Sequence, residues 1–158
     1  MAQSGGKWGI NMLIGEYHHN IDEKGRLIIP SKYRDEIGNS FVVTKGLDGC
    51  LYVYSMVEWE KITKKLKTLP FTKKSARTFT RFFLSGASVC EFDKQGRINL
   101  VSPLIEYAKL KKECVIIGVN DRLEIWDKEL FNNLMSDNEN ELSDLAENLF
   151  DGDFDDIA

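Results

Sequence analysis

The sequence predicts an α+β fold in which one small β-rich unit occurs twice, joined by helices, and three observations predict it. Residues 21–30, IDEKGRLIIP, have a near-copy at residues 92–101, FDKQGRINLV; both carry Asp-x-x-Gly-Arg before apolar residues, and the aspartates stand 71 positions apart. The segments after each copy follow the same order of patterns, with an offset that drifts only between 71 and 73. Between the copies lie two stretches whose apolar residues recur at three and four positions, the spacing of one helix face.

Taken in chain order, MAQSGGKWGIN (residues 1–11) lacks the apolar core of a signal peptide and reads as a vector-derived leader before a native start at Met12. Each Asp-x-x-Gly-Arg turn joins two strands. A short helix follows at residues 31–38 (SKYRDEIG) or 102–110 (SPLIEYAKL), then an apolar strand at 41–44 (FVVT) or 114–117 (CVII). A polar turn, GLDG or VNDR, leads to an alternating strand at 51–54 (LYVY) or 123–126 (LEIW), and each half then opens a helix in which Trp59 matches Phe131. Ser55 and Glu58 form a capping box, and Met56, Trp59, Ile62, Leu66 and Leu69 make one apolar stripe that Pro70 ends. A second helix over residues 72–84 carries Ala76, Phe79 and Phe83, with Gly86 as its stop. Lys73, Arg77 and Arg81 fall on another face of it, a basic stripe of the kind that is usually a solvated surface, with phosphate or inter-subunit contacts as the alternative. Leu142, Leu145 and Leu149 have helical spacing after a Ser136 cap, in an end rich in acids that has little to bury. The expected divisions are a leader at 1–11, a first repeat at 16–58, connecting helices at 59–86, a second repeat at 87–130 and an acidic tail at 136–158.

A unit of about 45 residues buries too little apolar surface to stand alone. Two units that complete each other's sheet solve that difficulty, which gives the duplication a structural reason of its own.

The repeated turn has a local logic. The Asp22 carboxylate can accept from N–H groups two and three residues on, and Gly25 supplies the positive φ that a short hairpin loop needs. Arg26 restarts the strand within reach of Asp22, so a charge-assisted pair can fix the guanidinium's direction. Asp93, Gly96 and Arg97 repeat the arrangement. Such a turn is either a salt-bridged hairpin with no further role or a device that presents arginine to guanine O6 and N7 in a major groove. Lys24 and Lys94 at the loop tips would then meet phosphates.

Composition narrows the function classes. The chain has 158 residues, 42% hydrophobic and 29% charged, and no apolar run near the ~18 residues a membrane span requires. With no export signal, the expected compartment is the cytoplasm. Cys50, Cys90 and Cys114 are odd in number and lack C-x-x-C spacing, so they read as reduced thiols and not as a disulfide framework or a zinc site. His18 and His19 point to opposite faces of a strand and share no chelate geometry. No nucleophile, base and carboxylate arrangement stands out, so no catalytic residue, metal or cofactor is assigned and an enzyme is disfavoured. The net charge of −4 conceals a division: nine acids and no base lie within residues 136–158, leaving 16 acids against 21 bases, +5, in the rest. Eight of those bases fall within residues 61–81, where there is no acid. RNA readers interleave exposed aromatics with bases; here aromatics sit on apolar stripes, which favours DNA over an RNA-binding or ring-scaffold reading that would use the same basic surface.

Met12 onward, MLIGEYHHNIDEKGRLIIPSKYR, then GLDGCLYVY with EWEKI, then ARTFTRFFLSGAS, then DKQGRINL, resembles the MraZ family of bacterial transcriptional regulators, from Met12 to about Met135. The resemblance implies a pair of SpoVT/AbrB-like repeats forming a double-split β-barrel with peripheral helices, and a ring-shaped homo-oligomer. It implies binding of double-stranded promoter DNA at short G-containing direct repeats upstream of the protein's own gene, repressing the division and cell wall cluster, at the nucleoid. It implies no small-molecule substrate and no membrane. The family's Asp-x-x-x-Arg signature maps onto Asp22 with Arg26 and Asp93 with Arg97, so the expected DNA-binding set is Asp22, Lys24, Gly25, Arg26, Asp93, Lys94, Gly96 and Arg97. One departure is present: Pro30 stands four residues after the first arginine, whereas Val101 stands after the second, with Pro103 two places later. The role expected for Arg97 is therefore equal to or smaller than that of Arg26.

Overall fold

The structure, a computed structural model, describes residues 12–150, so the expected leader at 1–11 and the last eight residues of the acidic tail lie outside the described residues. It divides into two compact units, the first ending at Asp127 and the second beginning at Lys128.

In the first unit, β1 (Glu16–Asn20), β2 (Arg26–Ile28), α1 (Ser31–Ile37), β3 (Ser40–Lys45) and β4 (Leu51–Ser55) are followed by α2 (Met56–Lys67) and α3 (Lys74–Ser85). The order then repeats as β5 (Ser88–Glu91), β6 (Arg97–Asn99), α4 (Ser102–Ala108), β7 (Glu113–Gly118) and β8 (Leu123–Asp127). The fold is α+β, and its strands are shared between the repeats. One antiparallel sheet runs β1-β7-β8-β4-β3-β5, while β2 and β6 form a separate two-stranded ribbon. The first strand of each repeat therefore pairs with the third strand of the other, β1 with β7 and β5 with β3. At the centre, β4 meets β8 with Leu51 opposite Ile125 and Val53 opposite Leu123. Among the described residues no continuous ladder closes the barrel, as befits a split one.

Period-two alternation explains the layers. Leu27 and Ile98 on one face of the ribbon are fully buried, and they meet Phe41, Val43, Leu51, Val53, Leu123 and Ile125 from one face of the sheet. Tyr33, Ile37, Leu104 and Ala108 of α1 and α4 complete that core. The alternate sheet residues face α2 and α3: Tyr54 packs on Trp59 and Phe83, and the Thr44 hydroxyl donates to the Phe83 carbonyl at 2.6 Å. Burying each such leucine or isoleucine contributes about 2 kcal/mol, so the two repeats hold one another through side chains that neither could cover alone.

The helix ends refine the sequence reading. α1 stops at Gly38, which has φ 89°, and α4 stops at Lys109 in the left-handed region at φ 54°. Ser55 Oγ accepts the Glu58 N–H at 3.2 Å, but the Glu58 carboxylate takes Lys61 Nζ at 3.1 Å instead of returning to Ser55, so only half of the expected capping box forms. Gly86 follows α3 with φ −86°, an ordinary right-handed value; a Cβ there would lie 2.7 Å from Lys45 Cε, so its smallness is steric and not conformational.

The second unit contains α5 (Lys128–Asn138) and α6 (Leu142–Phe150). The expected cap at Ser136 is not one: α5 runs through that residue and ends at Asn138. Leu142, Leu145 and Leu149 lie in α6 and are exposed. Among the described residues no helix is long and apolar enough to cross a membrane.

Candidate nucleic-acid interface

The two Asp-x-x-Gly-Arg turns fold on bonds made within five residues. Asp22 Oδ1 accepts the N–H groups of Lys24 and Arg26, both at 2.9 Å, and Asp22 Oδ2 accepts Arg26 Nε at 2.7 Å. The aspartate thus reaches two and four residues on, not two and three; the third N–H, of Gly25, donates to the Asp22 carbonyl at 3.0 Å. The Asp22 N–H returns to the Arg26 carbonyl at 3.0 Å and closes the loop. Asp93 makes the same set: Gln95 and Arg97 N–H at 2.9 Å, and Arg97 Nε at 2.7 Å. Gly25 at φ 81° and Gly96 at φ 77° occupy the left-handed region in which other residues are strained.

These bonds set the electrostatics. The Arg26 backbone N–H, joined by the Arg26 guanidinium and the Lys24 N–H and opposed by partial desolvation, holds the Asp22 carboxyl below its ordinary value of 3.8. The Arg97 N–H leads the same effect on Asp93. Each arginine is gripped at Nε only. Among the described residues its two Nη groups meet no acceptor, so the donor edge of the fork is open. The Arg26 side chain keeps 33% of its surface exposed and that of Arg97 23%, which makes Arg26 the more fully presented.

The ribbon places both arginines together. In β2 and β6, Arg26 lies opposite Asn99, Leu27 opposite Ile98, and Ile28 opposite Arg97, a register with a pseudo-twofold through the central pair. Because Leu27 and Ile98 point inward, Arg26, Ile28, Arg97 and Asn99 share the outward face. Each turn is buttressed by the other repeat: the Leu100 N–H donates to the Gly25 carbonyl at 2.7 Å, and the Ile29 N–H to the Gly96 carbonyl at 3.0 Å.

The remaining expected site residues are placed less symmetrically. Lys24 and Lys94 are both exposed, but Lys24 gives its N–H to the aspartate while Lys94 stands one position earlier in its turn, so they are not equivalent. The basic stretch of residues 61–81 lies on α2 and α3, on the opposite side of the sheet from the ribbon. Arg77 there donates to the Phe71 carbonyl at 2.9 Å. Asn99 and Ile28 were not singled out from sequence, although a signal existed. Each stands two residues after a turn arginine, hence on the arginine's own face, and there one copy has an aliphatic side chain where the other has a carboxamide. Arg34 was also missed; its Nε donates to the Ile29 carbonyl at 2.9 Å, and its guanidinium underlies Gly96.

Outside the turns little chemistry is assembled. Cys50 and Cys114 are buried, and burial pushes the Cys114 thiol up to about 12. His18 pairs with Glu16 and His19 stacks on Tyr17. Among the described residues no group of three metal-ligating side chains converges.

Comparison with known proteins accords with this repeat architecture. The family model described as "MraZ protein, putative antitoxin-like" matches twice, over residues 12–82 and 83–153, with one turn in each match. A Lactobacillus gasseri protein named "Transcriptional regulator MraZ" is 56% identical over 140 residues, covering 89% of this chain and 98% of its own. A protein of the same name from Thermoanaerobacter sp. (strain X514) is 55% identical over 140 residues, with the same two coverages of 89% and 98%. With two tandem family matches and relatives alike along nearly their whole length, the chain belongs to the MraZ family.

Proposed function

We propose that the chain is a sequence-specific DNA-binding transcriptional regulator that lays the β2/β6 ribbon into the major groove. The observation that carries this reading is the pair of arginines on the ribbon's outward face, each fixed at Nε by an aspartate with its Nη edge free. A major groove about 12 Å wide admits a two-stranded ribbon, and an arginine fork matches guanine O6 and N7. A guanidinium held in place before binding loses less side-chain freedom on contact. In this reading Arg26 and Arg97 read bases, Asp22 and Asp93 aim them, Gly25 and Gly96 shape the turns, and Lys24 and Lys94 meet phosphates.

The finer parts of the reading belong together. Short G-containing direct repeats upstream of the protein's own gene are the operator, and binding represses that gene and the division and cell wall cluster. Copies of the chain close into a homo-oligomeric ring that sets several ribbons on consecutive repeats, in the cytoplasm at the nucleoid. The repeats span residues 16–58 and 87–130, the segment 59–86 connects them, and 136–158 forms an acidic tail. The protein is not an enzyme, and it needs no cofactor, small-molecule substrate or membrane. The names of its relatives support the regulatory reading.

Footprinting on the DNA upstream of the gene, with random duplex and single-stranded RNA as competitors, tests it. The expected result is a set of protected, evenly spaced guanine-containing repeats that random duplex and RNA displace only in large excess. Equal competition by all three would replace this reading with a scaffold or RNA-binding role for the same surface.

A further inference from the structure

The pseudo-twofold of the ribbon is broken at one pair of side chains. Leu27 matches Ile98 and Arg26 matches Arg97, but Ile28 of the first repeat corresponds to Asn99 of the second. These two residues lie on the outward face, each directly across from the other repeat's arginine. One end of the ribbon therefore presents Arg26 beside Asn99, and the other presents Arg97 beside Ile28. Cross-strand neighbours have Cβ atoms about 5 Å apart, so whichever base an arginine reaches, its partner addresses the adjoining base pair. Asn99 is exposed, and its carboxamide has no hydrogen-bond partner among the described residues, whereas Ile28 is half-buried and offers only methyl groups.

We infer that Asn99 and Ile28 give the ribbon a direction, and that they do so by reading the base pairs next to the guanines. The inference rests on the major-groove reading proposed above. An asparagine carboxamide pairs bidentately with adenine N6 and N7, while an aliphatic side chain can only contact a thymine methyl. A ribbon with a true twofold would bind a site equally well after the DNA was turned end for end, because rotation about its own axis would leave it unchanged. The Asn99/Ile28 exchange removes that equivalence. Modules with a fixed direction, repeated around an assembly in one sense, select direct repeats over inverted ones; modules without direction cannot make that choice.

Selection from a library of short duplexes with randomised centres tests this, using the full chain and its Asn99→Ile, Ile28→Asn and Arg26→Ala variants, each first checked for an unchanged melting temperature. The wild type should enrich guanine with an adjoining adenine at one end only. It should also prefer duplexes that carry two sites as direct repeats over the same sites inverted. Asn99→Ile should lower the adenine preference about tenfold, near the low end of the range for one bidentate contact. Ile28→Asn should add an adenine preference at the other end. Both variants give the two arginines alike cross-strand neighbours, so both should weaken the preference for direct repeats, leaving only what the turn tips contribute through Glu23 against Lys94 and Lys24 against Gln95. Asn99→Gln, which keeps a carboxamide, should retain part of the adenine preference. If Asn99→Ile and Ile28→Asn keep the wild-type motif and its orientation while Arg26→Ala loses the guanine, directionality is wrong and the major-groove reading stands. If the wild type enriches no motif, or Arg26→Ala still selects the same guanine, the major-groove reading fails and the inference with it.

Discussion

The turn at Asp22 and the turn at Asp93 are held by the same bonds to within 0.1 Å, yet they stand on different supports. Beneath Gly25 lie the Leu100 carbonyl and the Ile105 side chain; beneath Gly96 lies the Arg34 guanidinium. The aspartate, glycine and arginine of one five-residue segment suffice to build the local geometry. What carries each turn, and which side chain stands beside its arginine, comes from the other repeat. The duplication therefore does more than complete a sheet, since it sets two copies of one turn beside different neighbours.

The largest difference between the turns should appear on adding one methyl group. A Cβ on Gly25 would lie 2.6 Å from the Leu100 carbonyl oxygen, a backbone atom with little room to shift because the Leu100 N–H already donates to the Gly25 carbonyl. A Cβ on Gly96 would lie 2.7 Å from Arg34 Cζ, the far end of a flexible chain. Both substitutions incur about 1–2 kcal/mol for a left-handed backbone, and only the first adds the cost of displacing the ribbon. Gly25→Ala should destabilise by roughly 3 kcal/mol and Gly96→Ala by about 1–2 kcal/mol in denaturant melts. Equal losses would mean that the supports do not matter.

A smaller effect, shared by both turns, should follow from pH. The folded carboxyls of Asp22 and Asp93 lie below the ordinary 3.8, so their contribution is fully present above that value and is lost as pH falls through the lower folded value. Lowering the pH should shrink the difference in melting temperature between the wild type and Asp22→Asn, and likewise for Asp93→Asn. A difference that stays constant from neutral pH to below 3.8 would show that the carboxylate charge does not hold the turn.

Three changes should alter DNA affinity without altering sequence choice. Lys24→Ala should weaken specific and random duplex alike and reduce the salt slope by about one ion per engaged subunit. Because Lys94 occupies a different turn position, its substitution should give a slope change of similar sign but not the same size. Truncation before Glu139, which spares α5 and removes eight of the nine tail acids, should tighten binding to random DNA, most visibly at low salt. Unchanged random binding would make the tail inert toward DNA.

The parts legible in the sequence were those settled over a few residues. Asp22, Gly25 and Arg26 could be placed because their partners lie within the same turn, and the strand faces followed from alternation. The interleaving of β1 with β7 and of β5 with β3 could be anticipated only as sheets that complete one another, since pairing between segments so far apart leaves no local pattern. The same is true of the Arg26–Asn99 register, of the Leu100 carbonyl under Gly25, and of Arg34 beneath Gly96. Ser136 was misread because a serine before an apolar stripe resembles a cap even where the preceding helix simply continues, and the Glu58 carboxylate was drawn to Lys61 by charge.

Arg26→Ala offers the most direct measurement of whether the ribbon reads DNA. Binding of this variant to operator and to random duplex should be compared with wild type, alongside its assembly size and melting point. Loss of roughly 1–3 kcal/mol per engaged site on operator alone is expected, with a larger total where the proposed ring engages several subunits at once. Arg97→Ala, whose side chain is the less exposed, should lose as much or less. An Arg26→Ala protein that keeps its assembly and melting point and still distinguishes operator from random DNA as the wild type does would leave Arg26 as no more than the partner that holds Asp22 in its turn.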